Sequence, residues 1–327
     1  MSFFHSIRAS GLAALIFLVG CGGRSIGGFP LAGAVAPTSK ASAHKPSGSY
    51  GDLLYVSTKK NIVVLTYPQL KTVATLPVYY AWTYLCSDPH NGNIFALDGG
   101  SGTITVYAHG GTTPIATLAV PSGYQVLGDC AVDPTTGNLA VPTDGPYQEE
   151  GAVVIFTGGQ GIGTPYSGKK LRDYEDVAYD DSGNLFLSAN IIGRRALLEM
   201  PAGKQDFTPF KFVGRFQYFD KMQWDGSHLV YDIAGPPTAS LEQVQVKGRY
   251  VKIIGATTLD HSGGSGLFWI YDGSVITPFS GILKGFRRAV ATWRYPQGGE
   301  PTSKRYGITR GEANNIWDLT ISSASSK

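Results

Sequence analysis

Hydrophobic residues between positions 52 and 322 come in short apolar runs broken by Gly, Pro, Asn, Asp and Ser. Leu53-Leu54-Tyr55-Val56, Ile62-Val63-Val64-Leu65, Ile94-Phe95-Ala96-Leu97 and Leu185-Phe186-Leu187-Ser188 are typical. Short runs rich in β-branched and aromatic residues, bounded by turn formers, predict β strands. No amphipathic helical period is sustained beyond the N-terminus. Five shorter runs alternate large with mostly small side chains, as the two-residue period of a strand dictates. They are Leu85-Cys86-Ser87, Cys130-Ala131-Val132, Val177-Ala178-Tyr179, Met222-Gln223-Trp224 and Trp269-Ile270-Tyr271. A third kind of run, such as Val153-Val154-Ile155-Phe156 or Leu197-Leu198-Glu199-Met200, ends in an aromatic residue or Met, with Pro or Gly following. A fourth, weaker strand is expected after it.

Each of the five short runs leads into one polar phrase. Asp133-Pro134-Thr135-Thr136-Gly137-Asn138-Leu139 nearly repeats Asp88-Pro89-His90-Asn91-Gly92-Asn93-Ile94. Asp180-Asp181-Ser182-Gly183-Asn184-Leu185 is one residue shorter, and the versions at Asp225-Gly226-Ser227 and Asp272-Gly273-Ser274 are tighter. The leading aspartates step by 45, 47, 45 and 47 residues. A fixed period of this size marks a repeat architecture whose units bury their apolar faces only against one another. Asn and Gly tolerate positive φ, so the phrase predicts a hairpin turn between a first and a second strand.

Four antiparallel strands per repeat make one propeller blade. Asp52 to Ser57 reads as a second strand with no first strand before it, and Asp318-Leu319-Thr320-Ile321 matches Asp129-Cys130-Ala131-Val132 and Asp176-Val177-Ala178-Tyr179. The predicted fold is therefore all-β: a six-bladed β-propeller over 50–322 with four-stranded antiparallel blades, closed by the C-terminal strand completing blade 1. The blades fall at 50–82 with 314–322, 83–125, 126–172, 173–217, 218–263 and 264–310. Such closure leaves no free sheet edge. Residues 323–327 are expected to be a disordered tail.

Composition agrees: 43 Gly, 19 Pro and 12% aromatic residues suit many short strands and tight turns. A net charge of +3 is too weak to suggest nucleic acid. The N-terminal stretch adds an address. Gly11 to Val19 is an apolar run too short to span a bilayer as a helix, preceded by Arg8 and no acid, so 1–20 reads as a signal peptide. Leu18-Val19-Gly20-Cys21 resembles the bacterial lipobox. That resemblance implies a lipoprotein, lipidated at Cys21, which becomes the new N-terminus and is anchored stably by its acyl chains. Gly22 in place of Asp resembles outer-membrane sorting in diderm bacteria. The other reading is an ordinary Cys behind a signal peptide cleaved elsewhere. Residues 21–49, rich in Gly, Ala, Ser and Pro, read as a flexible tether.

The Asp-x-x-Gly-Asn-Leu-aromatic phrase at this spacing resembles NHL-repeat and SMP-30/gluconolactonase-like propellers, and Tyr-Pro-x-Gly-Gly-x-Pro at 295–301 resembles uncharacterised bacterial propeller lipoproteins. The resemblance covers about 52–322 and speaks to fold more than function, since propellers host unrelated activities.

Loops before first strands, and between second and third strands, share one face in a propeller. That placement puts Asp129, Asp176 and Asp318 in one slot, with Glu175, Asp144, Glu149 and Glu150 on neighbouring loops. Converging carboxylates suit Ca²⁺ or another divalent cation. Equally, they suit caps on loop amides or pairs with Lys and Arg, and Lys221 beside the equivalent slot opposes a cation. SMP-30-like lactonases hold a divalent metal at this mouth, but their separated Glu, Asn, Asn and Asp have no clear match here. Tyr79, Tyr80, Trp82, Tyr84, Tyr124, Tyr174, Tyr218 and Phe219 gather in the same loops. They form either a rim for sugars or peptide side chains, or packing between blades. Lys59-Lys60, Arg194-Arg195 and Lys284 with Arg287-Arg288 either meet an anionic partner or are solvated. No metal-type His spacing and no Gly-x-Ser-x-Gly elbow is present. Cys86 and Cys130 stand two and three residues before their aspartates, so strand alternation points them to opposite faces and predicts no disulfide. The chain is expected to be an envelope lipoprotein that binds a protein or glycan partner without catalysis. The alternatives are a metal-dependent SMP-30-like lactonase and a structural module of an envelope assembly.

Overall fold

A computed structural model describes residues 50–78, 82–145, 151–168, 171–191, 193–214, 221–233, 238–262, 266–279, 289–308 and 316–324. The signal peptide, Cys21 and the tether lie outside the described residues, as do Tyr79, Tyr80, Glu149, Glu150, Tyr218, Phe219, Lys284 and Arg287-Arg288. Among the described residues the fold is all-β, with a single 3₁₀ turn at Thr157–Gly159, and no helix is long and apolar enough to cross a membrane.

Strands β1 (Leu53–Thr58), β2 (Asn61–Thr66) and β3 (Thr72–Pro77) open the chain as an antiparallel meander. Next come β4 (Thr83–Ser87), β5 (Ile94–Asp98), β6 (Thr103–Tyr107) and β7 (Pro114–Ala119), a four-stranded antiparallel sheet. In the following sheet β8 (Gln125–Val126) and β9 (Ala131–Val132) both pair with β10 (Leu139–Asp144), followed by β11 (Ala152–Phe156) and β12 (Thr164–Tyr166). β13 (Leu171–Tyr179), β14 (Leu185–Ile191), β15 (Arg194–Met200) and β16 (Thr208–Pro209) form another four-stranded sheet. β17 (Lys211–Val213) runs parallel to the far strand of the next meander, β18 (Met222–Trp224), β19 (Leu229–Ile233), β20 (Ala239–Lys247) and β21 (Tyr250–Leu259). β22 (Trp269–Tyr271), β23 (Ser274–Phe279), β24 (Ala289–Arg294) and β25 (Gly298–Arg305) follow, touching β21 through one parallel pair, Leu259 with Gly299. The last strand, β26 (Ile316–Ser322), returns to pair antiparallel with β1, Leu54 opposite Ile321 and Ser57 opposite Asp318. This is the partnership expected from the unpaired second strand at 52–57.

The polar phrase folds as predicted, and its Asp has a specific task. Asp88, Asp133, Asp180 and Asp225 each accept a hydrogen bond at Oδ1 from the backbone N–H two residues on, at 2.8–2.9 Å. Such Asx turns set up the hairpin. The glycines at 92, 137 and 183 take positive φ in these turns. Asp272-Gly273 is a two-residue version with φ of 46° and 67°, the geometry of a type I′ hairpin.

The second strand of each sheet is buried on both sides, which is why these strands read as unbroken apolar runs; β1 is buried along its whole length. Outer strands show mainly one residue to the core, Leu76 in β3 and Leu118 in β7. The apolar surface packs sheet against sheet. Leu53, Tyr55 and Ile62 meet Leu85, Ile94 and Tyr107; Phe95 and Val106 share a cluster with Val154 and Phe156; Leu54, Leu65 and Leu319 pack with Ile276 and Val290. β26 lies against β4 on one side and β22 on the other.

One expectation fails. Cys86 and Cys130 are joined in a disulfide with their Cα atoms 5.5 Å apart, an ordinary span for such a bond. Cys86 belongs to β4, but Cys130 sits just before β9, outside the ladder. Strand alternation does not govern where its side chain points, so the parity argument did not apply.

Candidate functional site

The position four residues before each leading Asp holds Tyr84, Asp129, Asp176, Lys221 and Phe268, and β26 contributes Asp318 to the equivalent place. Asp129, Lys221 and Phe268 lie just before β9, β18 and β22, Tyr84 and Asp318 near the starts of β4 and β26, and Asp176 within β13, and their shared repeat position brings them to one level. There the expected carboxylates and the lysine meet. The Lys221 ammonium lies 2.7 Å from Asp129 Oδ2 and 2.7 Å from Asp318 Oδ1, tying together the sheets that carry β18, β9 and β26. Lys221 is 2% exposed and Asp318 is 0% exposed, so both charges are removed from water. The Lys221 Nζ also lies 5.6 Å from the centre of the Trp269 ring.

The aspartates reach neighbouring sheets as well. Asp318 Oδ2 accepts the Leu85 N–H at 2.6 Å, and Asp176 Oδ2 accepts the Met222 N–H. Asp129 Oδ1 and Asp176 Oδ1 are buried with no hydrogen-bond partner. Two carboxylates thus hold the ammonium, and Asp176 feels its charge without contacting it. Burial, reinforced by the Asp129 charge, pushes Asp318 up to about 8 and Asp176 well above the usual carboxylate range. Burial opposes the Lys221 charge, but Asp129 and Asp318 outweigh it and hold the ammonium above the usual lysine range. Removing charge from water is costly unless the groups are paired, and the retained protons follow from that. A register irregularity between Arg172 and Asp176, with Asp173 at φ 45°, directs Asp176 inward, as bulges beside special side chains do.

The other expected residues separate. Glu175 pairs with Arg195, both partly buried. Asp144 is raised by burial and accepts the Gly145 N–H. Among the described residues no three His, Cys, Asp or Glu side chains are placed to hold a metal ion. Of the aromatic rim, Trp82 is 50% exposed and meets Trp317 edge-on, ring centres 6.3 Å apart. Tyr84 is half-buried beside the carboxylates; burial, then the Asp129 and Asp318 charges, pushes its hydroxyl up to about 12. Tyr124 packs on the core, and Tyr174 is fully buried, its hydroxyl accepting the Gly168 N–H. Trp317 and the bridging role of Lys221 were missed from sequence. The signal for Lys221 was available, since it occupies the same repeat position as Asp129 and Asp176.

No described protein family matches the chain, and no curated protein does. Solved structures do. A chain of the nidogen/laminin complex, a β-propeller, aligns over 84% of this chain and 100% of its own length with a TM-score of 0.60 and 12% identity. A functionally unknown protein from Desulfotomaculum acetoxidans aligns over 82% of this chain and 89% of its own with a TM-score of 0.50 and 13% identity. At these identities the likeness concerns fold alone, and the fold it fits is a β-propeller.

Proposed function

We propose that the chain is a six-bladed β-propeller closed by β26, held in the cell envelope by lipid on Cys21 and sorted to the outer membrane, and that it serves as a binding module for a protein or glycan partner. Support for the ring comes from the pairing of β26 with β1 and from the packing of β26 between β4 and β22. The observation that carries the binding reading is the Lys221 ammonium within 2.7 Å of both Asp129 and Asp318. A lactonase of SMP-30 type would need those carboxylates for a divalent cation, and a buried lysine already occupies their focus. The cluster acts as a pin between inner strands, which leaves recognition to the surface beside it. There Trp82 offers an exposed ring backed by Trp317, an arrangement suited to stacking a sugar or an aromatic side chain.

Two measurements test this reading. Full-length protein in a diderm host is expected to incorporate labelled palmitate and fractionate with outer membranes, and Cys21→Ser to do neither. Purified protein is expected to bind one member of a panel of envelope polysaccharides and envelope proteins, with Trp82→Ala weakening that binding about tenfold. Stoichiometric Ca²⁺ together with metal-dependent lactone hydrolysis would overturn the binding-module reading in favour of an enzyme.

A further inference from the structure

Strand β21 runs between β17 and β20, and the three strands present an exposed face. Their register sets Lys211, Tyr250 and Lys247 side by side in one row, and Val213, Lys252 and Gln245 in the next. All six residues are exposed. The residues between the rows, Phe212, Val251 and Val246, point the other way and pack on the core, as strand alternation requires. The face therefore carries three ammoniums and no carboxylate. None of these lysines is in an ion pair among the described residues. Arg249, close in sequence, is held away by Glu199, the Pro209 carbonyl and the Phe210 ring. Two strand spacings of about 4.8 Å put the three charges on a patch about 10 Å wide, about one Debye length at 0.1 M salt, so a charged surface meets them as a unit. Apolar side chains stand among them. Val213 and Tyr250 are each 52% exposed, and Ile254, further along β21, is 46% exposed.

We propose that this face docks on an anionic lipid bilayer, its lysines reaching the headgroup phosphates while Val213 and Tyr250 enter the interfacial layer. Charge complementarity selects an anionic partner. The exposed aliphatic and aromatic side chains select one with an apolar layer beneath its charge, which a bilayer has. Lys and Tyr suit that boundary, since each carries a polar tip on an apolar stem. A dissolved polyanion offers the charge without the apolar layer, and a second copy of the chain would set lysines against lysines. The docking does not require an acyl chain on Cys21, so it stands apart from the lipoprotein reading.

A polarity-sensitive dye on Gln245→Cys in the full chain tests this, with the dye on Ile115→Cys, 46% exposed on β7, as control. Both carry Cys21→Ser, and Cys86 and Cys130 are bonded to each other, so the dye has one target. The readout is local and does not depend on how residues 1–49 meet the vesicle. Titration with vesicles of mixed phosphatidylcholine and phosphatidylglycerol is expected to give a saturating blue shift at position 245. Pure phosphatidylcholine is expected to give none, and position 115 to stay in water on both. A lysine at an anionic surface contributes about fivefold, so Lys247→Gln with Lys252→Gln is expected to weaken partitioning about 25-fold. Val213→Ser with Tyr250→Ser is expected to weaken it severalfold, and all four positions are exposed, so folding is retained. No shift at position 245, an equal shift on pure phosphatidylcholine, an equal shift at position 115, or unchanged partitioning in either double variant would each overturn the proposal. A response to dissolved dextran sulfate equal to that on vesicles would assign the face to an acidic polysaccharide and overturn it as well.

Discussion

Replacing Lys221 by Met tests the role of the buried pin most directly. The side chain is 2% exposed and lies 2.7 Å from each of two carboxylates. Methionine keeps much of its length but removes the charge, leaving Asp129, Asp176 and Asp318 together in the interior. Losing one partner of a buried ion pair costs about 3–5 kcal/mol. At about 2–4 °C per kcal/mol for a domain near this size, the melting temperature should fall by about 6–20 °C at pH 8. The pH dependence follows from the sign of the shifts. Asp318 and Asp176 titrate higher folded than unfolded, so the folded chain holds more protons. Their contribution is complete below the ordinary carboxylate range and is lost as pH rises towards about 8, where Asp318 titrates. The raised Lys221 adds nothing to that slope, because its own contribution is lost only above the usual lysine range. Wild type should therefore lose stability between pH 4 and 8, and Lys221→Met should lose it more steeply, its deficit shrinking at pH 5. Urea denaturation of both proteins across that range measures this. A deficit below about 1 kcal/mol at pH 8, or one that does not change with pH, would refute the reasoning.

Other outcomes are open to measurement. Asp176→Asn should flatten the decline in wild-type stability between pH 4 and 8, read from melting temperatures at each pH. Reducing the Cys86–Cys130 bond, which closes a 44-residue separation, should cost about 2–4 kcal/mol, and peptide mapping without reductant should recover the linked pair. Trp293→Ala should destabilise by about 3–5 kcal/mol in urea titration, because the indole is fully buried and donates to the Asp260 carbonyl. Trp82→Ala, by contrast, should cost only about 0.5–1.5 kcal/mol through its lost contact with Trp317, so a tenfold loss of partner binding by folded protein reports recognition rather than folding.

The turns and the second strand of each sheet were readable because backbone geometry and burial demand particular residues there. An Asx turn needs Asp or Asn at its head, positive φ favours Gly or Asn, and strands covered on both faces need unbroken apolar runs. The same logic placed Asp318 with Asp129 and Asp176. What remained hidden depends on distances between sheets. Lys221 looked like an obstacle to a cation site, whereas its ammonium is the cation the aspartates hold. Of the two readings of Tyr174, rim or packing, the ring is core, buried within the irregular stretch between Arg172 and Asp176. Cys130 escaped the in–out count of a strand by standing just outside one.

The partnership of β26 with β1 sets an order of events for the newborn chain. Leu53–Thr58 leaves the ribosome long before Ile316–Ser322 exists, so one flank of β1 has nothing to bond to while most of the protein is being made. That flank is a bare strand edge, open to pairing with the wrong molecule until the late segment arrives. Contacts between such distant segments also form slowly. A protein built this way benefits from staying unfolded until synthesis is complete.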